Sequence, residues 1–129
     1  MKRSLQVRPG TLAVCRFPAD TPPPAWVFHP EARFLSITRT PDELSVVCAE
    51  DDLPPSITQY EGGWRAIHLE GPIPFSATGV LASLLAPLAA AEIAVFALST
   101  FDTDWVLVKE ADLTRAVSAL RGDFEVAER

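Results

Sequence analysis

The chain has 129 residues, a mass of 14.0 kDa, and 48% hydrophobic against 22% charged residues. That composition excludes disorder as the default state, and the length suits one domain or two very small units that share a core. Seventeen acidic against eleven basic residues give a net charge of −6 without any basic cluster, so nucleic acid and anionic membranes are not expected partners.

The first residues, Met1 to Arg8, are basic but no apolar stretch follows them, so they do not read as a secretory signal. Nine of the twelve prolines lie in the first 55 residues, and no long helix can cross them. The N-terminal half is therefore predicted as strands: Thr11 to Phe17, Phe34 to Thr38 and Leu44 to Ala49. Thr40-Pro41-Asp42-Glu43 reads as the hairpin turn between the last two. Ala25 to Phe28 reads either as one helical turn or as aromatics laid on the sheet.

Gly62-Gly63 marks a break, and Trp64 to Glu70 alternates like a strand that ends at Gly71-Pro72. A helix is predicted next, entered near Ser76 or Thr78 as N-cap, with Leu81, Leu84, Leu85 and Leu88 as its apolar stripe and Pro87 inside it. Gly79 to Leu98 approaches the ~20 residues of a membrane span. Pro87 and Glu92 interrupt it, and a buried helix followed by a buried strand, Ile93 to Leu98, accounts for it. No membrane partner is expected, and the chain reads as cytoplasmic. Trp105 to Val108 is a further central strand. A second helix starts near Glu110, with Gly122 as its C′ residue, and Asp123 to Val126 adds a last strand. The second half thus reads β-α-β-β-α-β, an α+β, ferredoxin-like arrangement with two helices on one face of an antiparallel sheet.

The two halves overlay at a constant offset of 60, with six identities between Leu35 and Leu53: Thr40/Thr100, Asp42/Asp102, Val46/Val106, Glu50/Glu110, Asp52/Asp112 and Leu53/Leu113. Chance agreement of similar strands is the competing account. Duplication predicts two related units, residues 1–61 and 62–129, the first degenerate, with the proline-rich connection in place of its helix.

No catalytic set is visible, and the chain is not expected to be an enzyme. Cys15 and Cys48 read as buried, reduced thiols, and His29 and His68 lack the companions of a metal site, so no metal or other cofactor is expected. The polar cluster from Ser99 to Asp104 lies between two apolar strands. It reads either as a hairpin turn whose side chains bond the turn backbone, or as part of a clamp for a small ligand. In the second reading, the N–H groups at the start of the first helix bind a carboxylate and a nearby Asp binds an ammonium group, the two charges of a free amino acid.

Phe75 to Leu81, the stretch from Ala91 to Val108 and its continuation to Leu113 together resemble an ACT domain. The branch they resemble holds the regulatory ACT units of lysine-sensitive aspartate kinases and the CASTOR-type arginine sensors. The first half, with Phe34 to Thr38 and Thr40 to Ser45, resembles the shortened partner unit of that branch. The resemblance implies two tandem ACT units packed side by side and a free-standing, non-catalytic sensor. It would hold a free amino acid at an interface between ACT units, as a homodimer that signals to a regulated protein. By position, Thr78, Gly79 and Val80 would offer backbone contacts to the α-carboxylate. Thr100, Phe101, Thr103 and Asp104 would line the site, with Asp104 facing a cationic group and Asp102 as second candidate. The alternative is an interaction module that kept the fold without the ligand.

Overall fold

A computed structural model describes residues 2–128. Eight strands and two helices make a mixed α+β fold. The strands are β1 (Arg3–Val7), β2 (Leu12–Phe17), β3 (Leu35–Arg39), β4 (Leu44–Ala49), β5 (Tyr60–Leu69), β6 (Val95–Ser99), β7 (Asp104–Lys109) and β8 (Phe124–Glu128). The helices are α1 (Val80–Ala90) and α2 (Leu113–Leu120). Ala25–Phe28, Glu50–Asp52 and Glu110–Asp112 form short 3-10 turns, so the first of these is the helical turn rather than a flat aromatic connection.

The chain divides into two compact units. One comprises Gly10–Trp64, and the other comprises Met1–Pro9 with Arg65–Arg129. The sequence division at 61/62 assigned the first residues to the N-terminal half, whereas β1 packs in the second unit.

In the unit Gly10–Trp64, β2 pairs antiparallel with β4, and β4 with β3. The start of β5 also pairs antiparallel with β2, with a shift of register between Leu12 and Val14. Gly62 and Gly63 lie inside β5 and do not break it. Gly63 takes a φ of +73°, and its N–H donates to Glu50 Oε1 at 2.8 Å. The glycine pair thus makes a bulge, in which Gly63 supplies the left-handed residue that one bulge type takes from glycine. Ala13, Cys15, Val27, Leu44, Val46 and Cys48 form this unit's core. Cys15 faces Val46 and Cys48 faces Ala13 across the ladder, so the two buried, reduced thiols are diagonal neighbours. A hydrogen bond from Cys48 holds the Cys15 thiol below its ordinary range. The same bond, reinforced by burial, pushes Cys48 above its own.

In the second unit β1 is flanked by β5 and β8, and β7 pairs with β5 and β6. β1 runs antiparallel to β5 and parallel to β8, so the otherwise ferredoxin-like sheet holds one parallel pair. Leu5 and Val7 of β1, Ile67 and Leu69 of β5, and Val106 and Val108 of β7 point into one cluster. Leu84 and Leu88 of α1 and Ala116, Val117 and Leu120 of α2 join it, which places both helices on the same face. Burying each of these leucines contributes about 1.5–3 kcal/mol.

α1 departs from the predicted caps. Pro74 to Ala77 closes a turn of its own, with the Ala77 N–H donating to Pro74 O at 3.0 Å, so neither Ser76 nor Thr78 caps the helix. Gly79 occupies the N-cap with a φ of +72° and no side-chain cap. At the other end, Glu92 adopts a φ of 58°. Its N–H bonds Ala89 O and that of Ile93 bonds Leu88 O, which is a Schellman closure. Gly122 has no positive φ. α2 ends instead through Arg121 N–H to Val117 O and Asp123 N–H to Leu120 O.

Candidate functional site

Strand alternation places the site. Val106 and Val108 face the helices, so Asp104, two residues earlier, also lies on the helix face of β7. Its register partner on β6 is Ser99, whose hydroxyl donates to Asp104 Oδ1 at 2.6 Å. The start of α1 lies over this end of the two strands, and a cavity of about 340 Å³ opens between them. Ile73, Phe75, Gly79 and Val80 line one side; Ser99, Phe101 and Asp104 line the other.

The turn from Thr100 to Thr103 is fastened at several points. The Thr100 N–H donates to Thr103 O at 2.8 Å, and the Thr100 hydroxyl receives the Thr103 N–H at 3.3 Å. The buried Thr103 hydroxyl donates to Leu69 O at 2.5 Å. The Asp102 carbonyl receives the Ile73 N–H at 2.6 Å, and a Cβ on Gly71 would lie 2.7 Å from that oxygen. The loop before α1 and the turn between β6 and β7 are thereby locked together.

Of the sequence candidates, Gly79, Val80, Thr100, Phe101, Thr103 and Asp104 line the cavity, whereas Thr78 and Asp102 do not. Asp102 serves the scaffold through its carbonyl. The hydroxyls of Thr100 and Thr103 are engaged with the backbone, so the turn reading accounts for their side chains. Ser99 entered the sequence reading only as a member of the polar cluster, and Phe75 was not among the candidate site residues. Serine opposite Asp104 follows from the hairpin register, whereas no pattern in the sequence marks Phe75. Phe75 and Phe101 meet edge to face, with ring centroids 4.9 Å apart, and are 77% and 79% exposed.

Because no side chain caps α1, the first-turn N–H groups carry the positive end of its dipole toward the cavity. Asp104 is the only ionisable side chain in the lining. The cavity therefore offers main-chain donors at one wall and an anionic acceptor at the other. Among the described residues no group of three or more His, Cys, Asp or Glu is placed to hold a metal ion. No helix among them is long and apolar enough to cross a membrane.

An ACT domain family model matches residues 59–122, and a model of an N-terminal domain matches residues 10–56. The crystal structure of protein Atu0741 from Agobacterium tumefaciens is 33% identical, with a TM-score of 0.90 over 100% of this chain and 95% of that one. Residues 59–122 belong to the ACT domain family. The cytosolic arginine sensor for mTORC1 subunit 1 is 31% identical in Bos taurus over 104 residues and 32% in Homo sapiens. The match takes in 73% of this chain and 32% of the relative, so the chain spans about a third of the length of the curated relatives it matches. The ligand-free regulatory subunit of aspartate kinase from Thermus thermophilus shares the fold, at 14% identity and a TM-score of 0.67 over 97% of this chain and 100% of that one.

Proposed function

We propose that the chain is a non-catalytic regulatory module that binds a free amino acid in the cavity between the start of α1 and the β6–β7 turn. The observation that carries this reading is the pairing of uncapped first-turn N–H groups with the Asp104 carboxylate across one small cavity. The α-carboxylate meets the N–H groups of Val80 and its successors, and the α-ammonium meets Asp104. Each charge-assisted hydrogen bond contributes roughly 1.5–3 kcal/mol. The names of the relatives, an arginine sensor and a kinase regulatory subunit, support a sensing role. A second copy closing over the open mouth, rimmed by Phe75 and Phe101, would couple binding to dimerisation and to contact with a regulated protein, in the cytoplasm.

The identical offset of 60 between β3 and β6, between β4 and β7, and between the 3-10 turns that follow supports an internal duplication of the hairpin. Thr40 and Glu43 repeat the backbone bond of Thr100 and Thr103, at 2.9 Å.

Thermal unfolding in the presence of each of the twenty amino acids tests the reading. A ligand at 100 times its dissociation constant adds about 2.7 kcal/mol. Asp104→Asn removes that gain while the apo protein stays folded. No stabilisation by any amino acid at millimolar concentration returns the chain to the alternative, an interaction module without ligand, for which the exposed Phe75 and Phe101 would be the contact surface.

A further inference from the structure

We infer that the amino acid held in this cavity carries a neutral, apolar or aromatic side chain, an inference that rests on the amino-acid reading above and narrows it. The argument is one of charge matching. An amino acid brings an α-carboxylate and an α-ammonium wherever it binds, and these consume the two polar resources of the cavity. The main-chain N–H groups of the first helical turn take the anion. Asp104 takes the cation through Oδ2, because Oδ1 already receives the Ser99 hydroxyl.

Nothing of opposite charge is left for an ionised side chain. Every other lining side chain is apolar or a hydroxyl, and the Thr100 and Thr103 hydroxyls already donate to backbone carbonyls. A guanidinium or a second ammonium would sit among Ile73, Phe75, Leu81 and Phe101 with no carboxylate to meet it. An acidic side chain would face Asp104 without a basic group in the lining. An ionised side chain finds no ion pair in the lining and leaves the exposed rings uncovered, so both classes gain less than an apolar one.

The same four side chains reward an apolar ligand. The edge-to-face contact of Phe75 and Phe101 leaves the rings largely open to solvent, at 77% and 79% exposure. A hydrocarbon or aromatic side chain laid on them covers surface that the protein alone leaves wet. The cavity volume of about 340 Å³ is at the small end of ligand sites, in keeping with a single amino acid.

Isothermal titration of the intact chain with leucine, methionine, phenylalanine, arginine, lysine and glutamate decides the matter. The expected result is that one of the three neutral ligands binds at least about 10-fold more tightly than any of the three charged ones. Phe101→Ala, at an exposed position, should weaken that ligand about 10-fold or more and leave thermal unfolding of the apo protein unchanged. Tightest binding by arginine, lysine or glutamate overturns the inference and leaves the amino-acid reading standing. Absence of binding by all six, together with silence in the twenty-amino-acid unfolding screen, overturns both. Phe101→Ala without effect on a neutral ligand removes the aromatic wall from the argument and overturns the inference.

Discussion

Thr103 shows how a residue can line a site and yet serve the frame. Its hydroxyl is buried and donates to Leu69 O, tying the β6–β7 turn to the end of β5. Thr103→Val keeps the shape and removes that buried bond, and should cost about 1–3 kcal/mol in urea unfolding, with weakened amino-acid binding as the turn loosens. The sequence made the cluster from Ser99 to Asp104 visible because polar residues between two apolar strands are conspicuous. It could not divide scaffold from site, because threonine and aspartate serve both uses and only the hydrogen-bond partners separate them. Gly71 and the Asp102 carbonyl, remote in sequence and in van der Waals conflict for any Cβ, leave no pattern to read.

At the scale of elements, seven of the eight strands and both helices could be read from periodicity and proline placement. β1 escaped because Arg3 to Val7 holds only two core side chains, Leu5 and Val7, and its partners lie 60 or more residues away. The cap of α1 was misread for a related reason. Ser76 and Thr78 favour N-caps by propensity, but the turn from Pro74 to Ala77 delays the helix until Gly79. The other end of α1 gives a clean test. Glu92 occupies the left-handed C′ position that glycine fills without strain, and its side chain is exposed. Glu92→Gly should raise stability by about 0.5–1 kcal/mol, seen as a higher melting temperature, with amino-acid binding unchanged.

On the scale of the whole molecule, the strand missing from the sequence reading is the one that organises the second unit. β1 separates β5 from β8 and supplies the fully buried Leu5 to the core beneath the helices. Leu5→Ala should cost about 2–5 kcal/mol, measurable by denaturant unfolding. Removal of residues 2–8 should expose two strand edges and yield aggregation on size-exclusion chromatography, rather than a folded remainder.

The seating of β1 also dictates an order of events during synthesis. Arg3 pairs with Phe124 and Val7 with Glu128, so one edge of β1 waits for residues made some 120 positions later, after its other edge has met β5. Closing so long a loop is entropically expensive and slow. Until then a nascent chain presents α1 and the β6–β7 hairpin over an unfinished sheet. The β1–β8 pair therefore forms only after translation has passed β8, and a bulky group placed directly before Lys2 would crowd the edge on which that strand docks.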